Sequence, residues 1–147
     1  GIDLSGSGEL AVPMPGAVEL LHALPAGRWT IATSAARAIA PVWLEQAGLP
    51  LPAALVTVDD IEQGKPAPDP FLRAAELLGR DPARCLVIED APAGIRGAKI
   101  AGATVLALHT THGPADLGEA DHQTGDLSDV HAEATADGLI VSWRSLA

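Results

Sequence analysis

The sequence is poor in three kinds of feature, and each shortage narrows the class of protein. It has a single cysteine, Cys85, among 147 residues, which excludes an internal disulfide and is typical of a reducing compartment. The chain has only 9 lysines and arginines against 19 acidic residues, so it lacks the basic clusters that nucleic-acid binding needs. Proline, glycine or charge interrupts the apolar stretches within about ten residues, well short of the ~20 that span a bilayer. We therefore expect a cytoplasmic domain with no nucleic-acid and no membrane partner.

The chain is rich in apolar residues, which make up 48 % of it and are enough to bury a core. Short strand-like runs alternate with helix-like runs. The pattern predicts strands at 29–33, 55–58, 85–88, 103–108 and 139–141, and helices at 17–24, 35–47, 69–78, 93–101 and 126–136. Pro41 is expected either to kink the helix at 35–47 or to restart it there. The run at 85–88 is continuous and apolar, which is typical of a strand buried on both faces. This alternation indicates the α/β class, a doubly wound, Rossmann-like parallel sheet with helices on both faces.

Polar residues follow two of the predicted strands at the edge where such a sheet binds ligands. Ser34 and the amide of Ala35 lie between a strand and a helix, where both groups can donate to a phosphoryl oxygen; a plain helix cap is the alternative. Lys65 lies in the proline-stiffened loop GKPAPDP, where its ammonium can neutralise a phosphoryl group; a solvated surface lysine is the alternative. No Walker-type phosphate loop precedes this lysine.

Glu89 and Asp90 follow the third strand directly and form the strongest single feature of the sequence. Two adjacent carboxylates beyond a buried strand are costly unless they are solvated, paired or bound to a cation. Hard oxygen ligands in this place suit Mg²⁺, which typically takes one or two carboxylates with phosphate oxygen and water. An aspartate that caps the next helix beside an exposed glutamate is the alternative. The pair predicts a magnesium site.

The three clusters, in this order and spacing, resemble motifs two, three and four of the haloacid dehalogenase superfamily. The matching segments are WTIATSA at 29–35, VDDIEQGKPAPDPF at 58–71 and VIEDAPAGIRGAKIAG at 87–102. The likeness is greatest to the subgroup that contains β-phosphoglucomutase and the 2-deoxyglucose-6-phosphate and glycerol-3-phosphate phosphatases. It implies that Ser34 hydrogen-bonds the transferring phosphoryl group, that Lys65 holds phosphate and nucleophile together, and that the acidic pair ligates Mg²⁺. Arg37 stands where some relatives place a polar residue that faces substrate.

The chain departs from the family at its first motif, D-x-D-G-[TV], whose first aspartate attacks phosphorus and whose second acts as general acid and base. No D-x-D occurs in the sequence. The nearest segment, DLSGS at 3–7, resembles a D-L-S-G-T variant in which Asp3 is the nucleophile and Ser5 replaces the acid and base. No apolar strand precedes Asp3. We therefore favour the alternative that residues 1–12 return from a missing cap and that residues 13–147 form a catalytic core that lacks its first strand.

The sequence thus predicts a Mg²⁺-dependent phosphatase that hydrolyses a small phosphomonoester, such as a sugar phosphate, through an aspartyl-phosphate. Its nucleophile is expected outside this chain. The partners implied are a small phosphorylated metabolite and the missing cap or N-terminal segment of the same protein. Two alternatives stay open, a noncatalytic domain that binds phosphate or metal and a phosphosugar mutase. A phospho-acceptor receiver domain is disfavoured, because its acidic pair comes early and its lysine last.

Overall fold

The computed structural model describes residues 15–52 and 55–145, so the segment 1–12 and Asp3 lie outside the described residues. Within this part of the chain no helix has both the length and the apolar character needed to cross a membrane. Four α-helices alternate with most of the strands. The elements are α1 (Ala17–Ala23), β1 (Ile31–Ala32), α2 (Ala40–Gln46), β2 (Leu55–Val56), α3 (Asp69–Leu78), β3 (Leu86–Glu89), α4 (Pro92–Ala101), β4 (Thr104–Leu108), β5 (His122–Thr124), β6 (Val130–Ala134) and β7 (Leu139–Trp143).

The strands form two parallel sheets and one hairpin. β1 pairs with β2, with Ile31 opposite Leu55, and β4 lies between β3 and β5. β6 and β7 form an antiparallel hairpin. Parallel neighbours require crossover connections, and α3, which lies between β2 and β3 in the chain, packs against both β1 and β2. The α/β fold predicted from the alternating pattern is therefore confirmed.

β4 shows that helices cover both faces of the sheet. Its last four residues are all buried, at 1 % exposure or less. Val105 and Ala107 belong to a core cluster with Phe71 of α3 and Ile95 of α4. The alternate residues, Leu106 and Leu108, point to the opposite face. They join a second, larger cluster that includes residues of α1 and α2, namely Ala17, Leu20, Leu21, Ala40 and Leu44.

The prediction of a helix at 126–136 is wrong. The segment forms a short 3₁₀ turn at Leu127–Asp129 followed by β6, which pairs with β7 around a tight connection. The reason lies in that connection. Thr135 and Gly138 face each other across a two-residue turn: the Gly138 amide donates to Thr135 Oγ1, and the Thr135 amide donates to the Gly138 carbonyl. Glycine is favoured at the last position of such a turn. The turn chemistry therefore outweighs the helix-like composition before it.

Two other elements differ from their predictions. α2 begins at Ala40 and not at residue 35, because Pro41 lacks an amide hydrogen and is tolerated only in the first turn of a helix. A helix start around Pro41, predicted as one of two alternatives, is thus confirmed. The strand predicted to be buried on both faces, β3, keeps intermediate exposure from Leu86 to Ile88, whereas its neighbour β4 is buried. The same three residues line a cavity that also reaches Ile31 and Ala32 of β1. β3 is thus the less covered strand because it borders this cavity.

α4 packs closely against the loop that carries Lys65, and a glycine makes this approach possible. A Cβ atom added to Gly97 would lie 2.6 Å from the carbonyl oxygen of Ala67 and 3.2 Å from that of Pro66. Both contacts are with backbone, which cannot rotate out of the way as a side chain can. Glycine at this position therefore fixes the distance between α4 and the loop.

We expect Gly97→Ala to lower the free energy of unfolding by about 1 to 3 kcal/mol, because the added methyl overpacks a backbone contact. Alanine is the better helix former, so the loss measures the clash and not the helix propensity. Gly118→Ala is the matched control, since a Cβ there meets only the Ala115 carbonyl at 3.8 Å. Urea unfolding of the two variants compares them. Equal stability of G97A and the unmodified chain would contradict the packing argument.

Candidate functional site

The central contact of the candidate site is an ion pair between Lys65 and Glu89, which come from separate parts of the chain. Lys65 lies in the loop before α3, and Glu89 is the last residue of β3. Lys65 Nζ donates to Glu89 Oε1 at 2.6 Å, and the two side chains are 17 % and 3 % exposed. Both side chains lie away from water, so the loss of either one would remove a buried ionic contact from the other. The structure thus brings together two of the predicted site residues.

Glu89 is ionised in spite of its burial. Burial raises the pKa of the Glu89 carboxyl, but neighbouring positive charge, which includes the Lys65 ammonium, acts in the opposite direction and holds the pKa below its usual value. The Phe71 ring lies 5.4 Å from Lys65 Nζ, within the range of a cation–π contact. The lysine ammonium is thus held between the Glu89 carboxylate and the Phe71 ring. The site therefore contains a fixed anion beside a fixed cation.

A second glycine of α4 makes room for Glu89. A Cβ atom added to Gly94 would lie 2.2 Å from Glu89 Cδ and 2.3 Å from Oε2. No side chain other than hydrogen fits there unless the carboxylate moves. The turn from β3 into α4 passes through Asp90 and Ala91, and Pro92 begins the helix. The segment Glu89–Gly94 therefore places the carboxylate against the backbone of the helix that follows it.

Asp90 is buried next to Glu89, at 4 % exposure, and is contacted by the loop after β4. Thr111 Oγ1 lies 3.0 Å from the Asp90 carbonyl oxygen and 3.2 Å from Asp90 Oδ2. His112 Nδ1 lies 3.2 Å from the same carbonyl oxygen. Both predicted acids are therefore held in fixed positions at the end of β3.

The chemistry of this group fits a divalent cation. Lys65, Glu89 and Asp90 together carry one positive and two negative charges, and both carboxylates are buried. Carboxylate oxygens are the ligands that Mg²⁺ prefers. Across residues 15–52 and 55–145, no cluster of three or more His, Cys, Asp or Glu side chains is arranged to hold a metal. Magnesium bound by this pair would take its other ligands from water and phosphate oxygen.

Ser34 lies at the end of β1, where the sequence placed it, and is exposed. The turn around it is fixed by its buried neighbour: the Thr33 amide donates to the Val56 carbonyl, and Thr33 Oγ1 accepts from the Ala35 amide at 3.1 Å. In the described parts of the chain, no hydrogen bond joins the Ser34 hydroxyl to Lys65 or to the acidic pair. Phosphate binding by Ser34 and by the Ala35 amide stays a prediction.

Arg37 contacts the segment after β2. Its guanidinium donates to the Leu55 carbonyl at 2.7 Å and pairs with the Asp60 carboxylate, while its backbone amide donates to Asp59 Oδ2. The backbone amide of Thr57 and the Arg37 guanidinium hold the pKa of the Asp60 carboxyl below its usual value. These contacts tie the loop before α2 to the segment after β2. A role for Arg37 in substrate binding stays a prediction.

Two residues at the site were missed by the sequence reasoning. Neither His112 nor Thr111 is among the residues predicted from the sequence, yet both contact Asp90. Their distance in sequence from the acidic pair gives no local signal. The available signal was topological, because β4 runs parallel to β3 and so must end at the same edge. Asp3, the nucleophile expected if DLSGS is the first motif, lies outside the described residues.

Comparison with known proteins agrees with this geometry. A family model described as haloacid dehalogenase-like hydrolase matches residues 6–102. Glycerol-1-phosphate phosphohydrolase 2 of Saccharomyces cerevisiae is 41 % identical over 114 residues, which cover 71 % of this chain and 46 % of the yeast protein. Hexitol phosphatase A of Escherichia coli is 37 % identical over 130 residues, which cover 87 % of this chain and 60 % of that protein. The chain thus spans about half the length of the curated relatives it matches.

Solved structures share the same fold. A hydrolase from Pseudomonas syringae aligns with a TM-score of 0.70 and 34 % identity over 79 % of this chain and 57 % of its own. A β-phosphoglucomutase from Thermotoga maritima, itself assigned by similarity, aligns with a TM-score of 0.65 and 28 % identity over 76 % of this chain and 55 % of its own. The family match covers well over half of the chain, and it includes Lys65, Glu89 and Asp90. The chain therefore belongs to the haloacid dehalogenase-like hydrolases.

Proposed function

We propose that the protein containing this chain is a Mg²⁺-dependent phosphatase that hydrolyses a small phosphomonoester, such as a sugar or polyol phosphate. The observation that carries the proposal is the buried pair of Lys65 and Glu89 with Asp90 beside it. Phosphoryl transfer requires positioning and neutralisation of charge more than covalent work by the enzyme. A fixed ammonium next to two fixed carboxylates supplies this, because the ammonium attracts the phosphoryl oxygens and the carboxylates hold the cation.

In the proposed reaction each described residue has a limited task. Glu89 and Asp90 would hold Mg²⁺, which supplies further positive charge to the phosphoryl oxygens. Lys65 would bind a phosphoryl oxygen and the attacking carboxylate together, and the Ser34 hydroxyl would donate to another phosphoryl oxygen. A carboxylate from outside the described residues would form a bond to phosphorus as the bond to the alcohol oxygen breaks, and a general acid, also outside the described residues, would give that oxygen its proton. Water would then lose a proton to the same group as it attacks the acyl phosphate, which releases inorganic phosphate and restores the carboxylate.

The relatives support the substrate class. The yeast relative is named for glycerol 1-phosphate and the E. coli relative for hexitol phosphates, and both names describe small polyol monophosphates. The net charge of −10 supports local recognition of the anion, because a chain so acidic attracts phosphate only where positive groups are concentrated. A small polar phosphate is therefore the substrate that the chain's chemistry and its relatives favour together.

The cavity beside β3 supports a nucleophile that comes from another segment. The cavity has a volume of about 420 Å³, and its walls include Ile31 of β1, Leu86 and Ile88 of β3, and Phe71 of α3. Among the described strands β1 pairs with β2 and β3 with β4, and no pairing joins β1 to β3. Apolar walls favour an apolar occupant over water. A strand placed here would end beside Glu89, so its following residue would meet Lys65.

The first prediction from the proposed function concerns Lys65. We expect Lys65→Met to lower the free energy of unfolding by about 3 to 5 kcal/mol, because Glu89 is left charged and buried. The double variant K65M/E89M removes both charges and should recover most of that stability. Turnover of an aryl phosphate by the full-length protein should fall by about 10² to 10³ in both variants. Recovery of turnover together with stability in the double variant would show that the pair is only structural.

The second prediction concerns Gly94. Gly94→Ala should reduce turnover by about a hundredfold, because the new methyl displaces the Glu89 carboxylate and a shift of about 1 Å is enough for such a loss. Gly118→Ala is again the control, and it should leave turnover unchanged. Steady-state assays with and without Mg²⁺ measure both. The placement of Glu89 is unimportant for function if G94A and G118A give the same rate.

The third prediction separates an enzyme from a noncatalytic domain. The 147-residue chain should hydrolyse an aryl phosphate slowly or not at all, and a synthetic peptide with an apolar run ending in D-x-D-G-T should raise its rate at least about tenfold, a change of about 1.4 kcal/mol. The same peptide with its first aspartate replaced by asparagine is the control, because it fills the cavity but supplies no nucleophile. Phosphate or Mg²⁺ binding without turnover, in the full-length protein as well, would favour the noncatalytic alternative.

A further inference from the structure

The loop after β4 reaches across to Asp90 and makes four contacts with or around it. Thr111 Oγ1 lies 3.0 Å from the Asp90 carbonyl oxygen and 3.2 Å from Asp90 Oδ2. His112 Nδ1 lies 2.9 Å from Thr111 Oγ1 and 3.2 Å from the Asp90 carbonyl oxygen. Two consecutive side chains thus converge on one buried residue, and one of the contacts is with its carboxylate.

The positions of the hydrogens follow from which atoms can donate. The Asp90 carbonyl oxygen and an ionised carboxylate oxygen only accept, whereas the Thr111 hydroxyl has a single hydrogen. If His112 Nδ1 carried no hydrogen, its contact with the Asp90 carbonyl oxygen would bring two acceptors together. The arrangement that gives every contact a hydrogen has one on His112 Nδ1, shared between Thr111 Oγ1 and the Asp90 carbonyl oxygen. The single hydrogen of the Thr111 hydroxyl is shared between that carbonyl oxygen and Asp90 Oδ2. The Thr111 hydroxyl is then free to donate to Asp90.

The beginning of this loop is fixed to β5. The His109 amide donates to the carbonyl oxygens of Thr124 and Gly125 at 3.1 and 2.9 Å. The His109 ring contacts Gln123 Oε1 through Nε2 at 2.6 Å, and Gln123 Nε2 donates to the Leu117 carbonyl at 3.3 Å. These bonds fix the chain at His109 and at Leu117, on either side of the residues that reach Asp90. The loop is therefore built to keep its position, which a positioning role requires.

We propose that Thr111 and His112 are positioning residues that fix the orientation of the Asp90 carboxylate for the cation. This inference rests on the proposed function, because it assumes that Asp90 is a ligand of Mg²⁺. Thr111 holds one carboxylate oxygen and leaves the other for the cation, while His112 holds Thr111 and the Asp90 backbone. Partners of this kind, one shell beyond a metal, set the direction and the basicity of the ligand, and their loss typically weakens metal binding 10-fold to 100-fold.

The test is the affinity for Mg²⁺ alone, measured by titration calorimetry on the full-length protein without substrate. Thr111→Val keeps the shape of the side chain and removes the hydroxyl, so it should weaken binding of Mg²⁺ by about tenfold or more. Thr111→Ser keeps the hydroxyl and should bind within about threefold of the unmodified protein. Equal affinity of T111V and the unmodified protein, or equal weakening in T111S and T111V, would overturn the inference.

His112 has its own matched pair. Asn carries an amide N–H at the position of His Nδ1, so His112→Asn should keep the affinity for Mg²⁺, whereas His112→Leu should weaken it. Unfolding by urea checks that H112L and T111V remain folded under the conditions of the titration. If the unmodified protein binds no Mg²⁺, the metal step of the proposed function fails and this inference fails with it. If the unmodified protein binds Mg²⁺, and T111V and H112L bind it as tightly as T111S and H112N do, only the positioning role is wrong.

Discussion

The ion pair between Lys65 and Glu89 is the constraint on which the arrangement of this chain depends. The two residues lie 24 positions apart, and both are buried, so the contact joins two distant segments out of reach of water. The pair therefore fixes the loop before α3 to the end of β3. Every other group of the site is placed relative to this contact, including Asp90, which follows Glu89 directly. Under the proposed function the same contact would serve both the fold and the chemistry.

The two glycines of α4 are the second part of the same constraint. Gly94 admits the Glu89 carboxylate to the helix, and Gly97 admits the backbone of the loop that carries Lys65. The helix thus lies against both partners of the ion pair at contact distances that no larger residue permits. Helix propensity alone disfavours two glycines within one helix of 10 residues. Their cost to the helix is offset by the close packing of the site around it.

The parts of the fold that the sequence predicted are those with strong local signals. Apolar runs predict β1 to β4, and α3 ends at its predicted residue because Gly79 adopts the left-handed conformation directly after it. The parallel strand β5 was missed because its three residues, His122 to Thr124, are polar. The acidic pair and Lys65 were recognised because charged residues next to buried strands need a reason. The β6–β7 hairpin was missed because its strands are short and partly polar, so only the turn identifies them. Thr111 and His112 were missed because their partner, Asp90, is near only in the folded chain.

β4 has a consequence for how this fold tolerates change. Alternate residues of the strand belong to two separate cores, with Val105 and Ala107 in one and Leu106 and Leu108 in the other. A slip of the strand by one residue would exchange the two sets, so that both cores would receive side chains of the wrong volume at once. Insertions and deletions are therefore excluded from the strand itself, and variation in length among relatives must fall in the loops at either end. The loop that contacts Asp90 therefore begins at the end of a strand whose register is fixed by both cores.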